Sequence, residues 1–416
     1  MSDKQSENTV SLKVNGSSYE GWLSVEITSK LQTLARTFSV SATRTATEAG
    51  DKTDGINAGD SVEIFIGADK VLTGYVMRKT VSYSATGINI VISGASKPVD
   101  LEQCCLPDGY PTSFKSQTHL ANLQAVCKPY GISVIDEVGN SKKCDFEIKP
   151  TEKVGDAIVN YLQKHSLIIG DNAEGELVIR AVGSDGVASE ALETGKNILS
   201  GTRTQDHAAL FSEYVVLGQA TNALSELPVS SNQLKAVERY EKCRKRARVA
   251  QGQGNSTLQE LRKKAISQRD IAVGKSDVLT YLVRGWRQAN GVLWQINQTI
   301  KVTDACLNFQ GERVVSAVKL SMMSSGMTAS LTLESGRSFN VYATSDDSKA
   351  KAVNFDDVKE GSGKIGGASW LVKELRFRVK TVRHCRRLFS LRSPKTDTQI
   401  AQNESRLCFS IPRFLV

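Results

Sequence analysis

Four histidines, eight cysteines and one glycine-rich run are the residues of this 416-residue chain whose types could do chemistry. Zinc-dependent hydrolysis needs two imidazoles one helical turn apart with a glutamate between them. His119, His165, His207 and His384 are far apart and form no such motif; His165 closes the apolar stripe of a helix and reads as structural. The cysteines (Cys104, Cys105, Cys127, Cys144, Cys243, Cys306, Cys385, Cys408) contain no C-x-x-C, which argues against a disulfide scaffold and a zinc ribbon. Adjacent Cys104 and Cys105 could pair only with strain and are expected as small buried apolar residues at a strand end. In Gly361-Ser362-Gly363-Lys364-Ile365-Gly366-Gly367, a phosphate loop would need Gly where Val358 stands and a hydroxyl where Ile365 stands. That run reads as linker, and no G-x-S-x-G elbow occurs. The sequence thus singles out no catalytic, cofactor-binding or metal-ligating residue. The expectation is a structural protein, not an enzyme, with no cofactor and no small-molecule substrate.

The elements that such residues would sit on are mostly strands. Val62/Ile64/Ile66 and Ile88/Ile90/Ile92 alternate with the period of half-buried strands, and Gly67-Ala68-Asp69 supplies a tight turn after the first. Around residue 104 the period changes. Leu120, Leu123 and Val126 fall at helical spacing within 115–130, ended by Pro129. A clearer helix follows Thr151 as N-cap, with Val154, Ala157, Ile158, Tyr161, Leu162 and His165 on one stripe. Strands return with Tyr214–Leu217 and resume as 278–283, 294–302, 314–320 and 327–333. A helix opened by a Ser256-x-x-Gln259 capping box lies between, its Arg262, Lys263, Lys264 and Arg269 forming a solvated face.

At roughly 150 residues per domain the length allows about two to four domains. An apolar content of 40% supports sizeable cores. No apolar run approaches about 18 residues, and Met1–Asn8 is polar, so neither a membrane span nor a secretory leader is expected. The net charge of +9 is concentrated: residues 371–416 hold 11 Lys/Arg against 3 Asp/Glu, leaving the body nearly neutral. This tail could also be read as a basic amphipathic helix. It differs enough from the body to be an altered or frame-shifted terminus.

Several strings together resemble one family. Val10-x-Leu12-x-Val14-x-Gly16, Tyr19-Glu20-Gly21-Trp22, Val25-Glu26-Ile27-Thr28 and Phe38-Ser39-Val40 open it. Gly59-Asp60-x-Val62, Leu72-Thr73-Gly74-Tyr75-Val76, Ser93-Gly94 and Lys97-Pro98-Val99-Asp100-Leu101 continue it, with Ala95 where the family commonly has Arg. Glu174–Ile179, Gly195-x-Asn197-Ile198-Leu199, Arg284-Gly285-Trp286-Arg287, Gly291-x-Leu293-Trp294 and Asn297 complete it, with Ile296 where Pro often stands. The chain resembles, over residues 9–340, the Mu-like phage baseplate hub proteins, tail proteins of the late-control D superfamily. These are similar to the hub of T4-like contractile tails and to the base of type VI secretion spikes.

The resemblance implies two tube-like β-barrel modules in each subunit, and the strand-rich regions 9–103 and 199–335, the latter with a helical insertion around 256–273, fit them, with the small α/β domain 104–198 inserted between. The expected fold is thus α+β, mainly β, with a flexible C-terminal region: composition marks 336–370 as linker, and the basic tail 371–416 has no counterpart in the family. The implied function is the structural hub of a contractile tail: a homotrimeric ring adapting the sixfold tail tube to the threefold central spike. Its implied partners are spike, tube and other baseplate proteins, with nucleic acid only as a tail contact or as DNA in transit, and without stable membrane insertion. The implied location is the virion baseplate, after synthesis in the bacterial cytoplasm. A secretion-system spike base, or a tail-associated peptidoglycan hydrolase detectable by zymogram, is the alternative; the sequence names no interface residue. Trp22, Trp286 and Trp294 are expected in the core or at barrel corners. Trp286→Ala should therefore destabilise the fold in thermal unfolding, and an intact fold that merely fails to trimerise would overturn that assignment.

Overall fold

Alternation of apolar and polar side chains builds most of the molecule. The computed structural model describes residues 7–44, 55–85, 87–219, 233–255 and 257–339. Most of the expected linker, the basic tail 371–416, Gly361–Gly367, His384, Cys385 and Cys408 lie outside the described residues. The first segment carries β1 (Val10–Val14), β2 (Ser17–Tyr19), β3 (Ser24–Lys30), β4 (Thr37–Arg44), β5 (Ser61–Ile66), β6 (Asp69–Tyr83) and β7 (Ile88–Ser96). Next come α1 (Val99–Gln103), β8 (Ser113–Thr118), α2 (His119–Cys127), β9 (Val134–Asp136), β10 (Lys143–Glu147), α3 (Val154–Gln163), β11 (Ile168–Asp171) and β12 (Leu177–Arg180). The last segment holds β13 (Leu192–Glu193), β14 (Ile198–Gln205), β15 (Glu213–Gln219), β16 (Gln233–Arg239), β17 (Ala247–Asn255), α4 (Leu258–Lys275), β18 (Asp277–Arg284), β19 (Thr299–Asp304), β20 (Phe309–Met323) and β21 (Gly326–Glu334). The fold is α+β and mainly β.

Strands from both strand-rich regions join in one sheet. Its order is β14-β18-β21-β20-β3-β4-β7-β6-β5-β1-β2, with β19 also on β20 and β13 on β19. The join is the antiparallel ladder of β20 with β3, in which Ile27 faces Leu320 and Val25 faces Met322. One apolar core takes Leu12, Ile64 and Ile92 from the first region and Tyr281, Val302 and Leu331 from the last. Trp22, Trp286 and Trp294 are all buried in it, and the Trp286 indole donates to the carbonyls of Ser321 and Thr328, each at 3.1 Å.

The α/β segment keeps its own core, with Leu123, Phe146, Ile158 and Leu177 among its members. The stripe Val154, Ala157, Ile158, Tyr161 and Leu162 is buried as its spacing requires. The helix begins later than expected, though, with Lys153 and not Thr151 at the N-cap. Helix α2 is also shorter than the apolar spacing implied: Ser113–Thr118 is a strand, and Thr118 Oγ1 accepts the Ala121 N–H at 3.2 Å to cap the helix.

Four further expectations are corrected. Strand β15, containing Tyr214–Leu217, does not join the large sheet; it is the centre of a separate sheet, β16-β15-β17, packed through Val216 and Ala236 on Leu261 and Ala265 of α4. The insertion in the last region therefore starts with strands well before 256. Helix α4 is capped one residue later than expected, by Thr257 and Glu260, whose side chains bond reciprocally to each other's N–H at 3.2 and 2.8 Å. Of the stretch 294–302, only the part from Thr299 is strand. At the end of the described residues, Gly336–Phe339 forms a 3-10 turn with Phe339 buried in the main core, so these four residues are not linker.

Gly94 shows how tightly the first ladders approach. It lies opposite Phe38 and Val76, and a Cβ there would overlap the Tyr75 carbonyl oxygen and sit 2.7 Å from the Phe38 ring. Gly94→Ala should cost about 1–3 kcal/mol, the range for overpacked positions, read as a lower midpoint in denaturant unfolding.

Candidate functional site

The residues that need explaining are polar groups held where the sheet meets its insertions. Arg36 lies in the turn between β3 and β4. Its Nε donates to Asp171 Oδ1 at 2.8 Å, one terminal nitrogen to the Val71 carbonyl and the other to the Asp171 carbonyl, both at 2.8 Å. Its backbone N–H donates to Ser96 Oγ at 2.9 Å, and Ser96 is wholly buried. The Asp171 side chain is only 3% exposed, so its carboxylate has left water. Thr73 Oγ1 donates to the Ala173 carbonyl, and Glu102 Oε1 accepts the N–H groups of Leu34 and Ala35. These contacts pin the α/β segment to the first strands.

Two residues of the resembling strings hold the other joints. Arg287 donates to the carbonyls of Glu7, Ile66 and Gly291, to Asn8 Oδ1 and, at 2.6 Å, to Asp69 Oδ2, fastening the start of the chain and the β5–β6 turn to the last region. Asn297 is fully buried with φ of +64°, a conformation that Asn tolerates better than most residues. Its Oδ1 accepts the Gly183 N–H at 2.7 Å, while Nδ2 donates to the Ala181 carbonyl and to Asp185 Oδ1. Its own N–H reaches the Val315 carbonyl. Ile296, in place of the family's Pro, is buried beside it.

A cleft of about 480 Å³ opens where these segments meet, with Arg36, Asp69, Lys70, Arg180, Arg287 and Trp294 in its wall. Each of its cations is paired: Arg36 with Asp171, Lys70 with Glu63, Arg180 with Glu137 and Asp185, Arg287 with Asp69. Such a wall holds parts together. A further pairing stiffens the last region, where Asp277 accepts from Nε and Nη2 of Arg203 and from one terminal nitrogen of Arg313. Hydrogen bonding to Asp277 raises the Arg203 pKa, whereas burial lowers that of Arg313. Burial would raise Asp304, but the Leu307 N–H and the Thr194 hydroxyl bonded to it leave its carboxyl below the usual value.

The histidines that sequence places far apart meet in the α/β segment. The rings of His119, at the start of α2, and His165, just beyond α3, have centroids 4.5 Å apart, and Cys144 of β10 joins them. His119 Nδ1 lies 2.7 Å from the Tyr161 hydroxyl, which also accepts from Asn122 Nδ2 at 2.9 Å. Burial lowers the pKa of His119 and, with the neighbouring His119 charge, takes His165 down to about 4. Burial likewise pushes Tyr161 up to about 12 and raises the Cys144 thiol. No local spacing announces this cluster; the one available signal is a polar His119 directly after the capping Thr118. His207 is exposed, and so are Cys104 and Cys105, contrary to the burial expected of that pair. Cys104 caps the C-terminus of α1 and does not stand at a strand end.

Arg36→Ala should cost about 3–5 kcal/mol by stranding the buried Asp171 carboxylate. The double variant Arg36→Ala/Asp171→Asn should lose less than the two single losses added, a coupling measurable in a denaturant double-mutant cycle.

Comparison with known proteins agrees with this architecture. Residues 9–96 match the family described as Mu phage baseplate assembly protein GpP-like, N-terminal; residues 99–181 match the second domain of baseplate hub protein gp44-like; residues 257–341 match the fourth domain of Mu phage baseplate assembly protein GpP. The baseplate hub protein gp44 of Escherichia phage Mu is 25% identical over 305 residues, 71% of this chain and 79% of that protein. Among solved structures, the 43 kDa tail protein of prophage MuSo2 from Shewanella oneidensis superposes with a TM-score of 0.72 at 24% identity, covering 80% of this chain and 99% of that one. A tail protein from Neisseria meningitidis MC58 gives 0.69 at 21%, with the same coverages. First, second and fourth domains follow one another here in chain order, and the strings around Trp22, Gly94 and Arg287 prove to be the packed and hydrogen-bonded joints of the fold: the chain belongs to the Mu-like phage baseplate hub proteins, structural components of the phage tail.

Proposed function

We propose that this chain assembles as a homotrimeric ring at the tail baseplate, with the sixfold tail tube on one side and the threefold central spike on the other. The two tube-like modules of each subunit would be the strand set β1–β7 and the set formed by β13, β14 and β18–β21. Three subunits with two modules each give the six-lobed face that a sixfold tube requires.

The observation that carries this reading is the large sheet itself. Its two halves are hydrogen-bonded into one body through β3 and β20, and it ends at β14, a long strand paired on one side by β18. Nearly all of β14 is exposed, including Leu199. An edge of that length without a partner strand among the described residues is a template for pairing with another chain, and ring closure is one way to cover it. The domain matches to baseplate proteins support the location of the ring, and the paired charges of the central cleft support a holding role over a catalytic one.

Light scattering and negative-stain electron microscopy of the purified full chain test the proposal. The expected particle has three times the 45.2 kDa chain mass, with threefold symmetry, an open centre and six peripheral lobes. Monomers that stay monomeric when the neighbouring spike protein is added would overturn it.

A further inference from the structure

The cluster in the α/β segment is built like a ligand set. His119, Cys144 and His165 each offer one donor atom, and the three atoms lie within 4.8 Å of one another. Tetrahedral zinc with bonds of about 2.0–2.3 Å separates its donors by roughly 3.3–3.8 Å. Small rotations of His165 and Cys144, which are only partly buried, would close the difference.

His119 supplies the independent observation. It is 0% exposed, and its Nε2 has no hydrogen-bond partner. A buried ring nitrogen without a partner is costly, and in native proteins it calls for a reason. The other nitrogen, Nδ1, is engaged by the Tyr161 hydroxyl, which Asn122 Nδ2 holds from its other side while also donating to the Cys144 carbonyl at 3.1 Å. When Nδ1–H donates to the Tyr161 oxygen, Nε2 is left as the nitrogen with a free lone pair. This is the outer-shell arrangement that fixes the tautomer of a ligating histidine.

We propose that His119 Nε2, His165 and Cys144 Sγ form a binding site for one zinc ion, which clamps the start of α2, strand β10 and the end of α3 together. Two imidazoles and one thiolate suit a borderline-soft cation and not magnesium or calcium. The fourth position falls to water, since His165 and Cys144 are only partly buried. On binding, the thiol releases its proton to solvent and no redox step occurs. Lys142 and Lys164 oppose the ion's charge, and Asp136 and Asp145 partly offset them.

The test uses the full chain stripped of metal with a chelator, then titrated with cobalt as a spectroscopic probe and with zinc as its competitor. One equivalent of cobalt should give a thiolate-to-metal charge-transfer band that zinc displaces, and zinc should raise the thermal unfolding midpoint. Cys144→Ser should abolish the band, and His165→Gln should weaken cobalt binding at least tenfold while both metal-free variants melt as the parent does. If Cys144→Ser fails to fold, His165→Gln, at a partly exposed position, carries the comparison. A missing band at one equivalent, unweakened binding in His165→Gln, or a band that survives in Cys144→Ser and so belongs to another cysteine would overturn the site.

Discussion

The antiparallel ladder between Ser24–Lys30 and Phe309–Met323 is the constraint on which the rest of the chain depends. It pairs residues about 290 positions apart, such as Ile27 and Leu320. Closing a loop of that length costs entropy that grows only slowly with its size, so what the loop contains is free to elaborate. It contains parts able to organise around their own apolar contacts: the α/β segment around Leu123 and Ile158, and the small sheet under α4. The sheet supplies the frame, and the insertions add to it without interrupting its hydrogen bonding.

Apolar faces alone would leave the insertions free to slide over the frame, since burial is nearly indifferent to register. The joints use fixed donor geometry instead. Arg36 needs acceptors from β6 and β11 at once, Arg287 needs Ile66, Asp69 and Gly291, and Asn297 needs the 181–185 turn. A guanidinium displaced by a residue would lose several bonds together, and at Arg36 the buried Asp171 carboxylate would keep the desolvation cost. These residues cluster at strand ends and turns, where the backbone leaves carbonyl groups unpaired.

What could be read from sequence follows the range of the forces involved. Alternation within Val62–Ile66 and Ile88–Ile92, and the stripe from Val154 to Leu162, are local properties that survive in the fold. The expected strand over 294–302 failed because the buried Trp294 and Ile296 have strand-like spacing, while Asn297, at positive φ, turns the chain to satisfy a neighbour more than a hundred residues earlier. The separate sheet around β15 was hidden for the same reason: Tyr214–Leu217 has the composition of any central strand, and only its partners distinguish it. Arg287 and Asn297 entered through the family resemblance. Arg36 and the His119–Cys144–His165 cluster entered through neither route, because their partners come from elements whose relative placement is itself a tertiary result.

The same distinction bears on how such a subunit would carry load. A β-ladder resists shear along its strands through many parallel hydrogen bonds, so two modules sharing one sheet move as one body. Two modules joined by a linker would instead hinge. In the proposed ring, a displacement entering at the tube face would pass through β3 and β20 to the other module, and the polar joints at Arg36, Arg287 and Asn297 would keep the α/β segment in step. The small sheet under α4, outside that ladder and packed on a core of few residues, is the part that can vary without weakening the path.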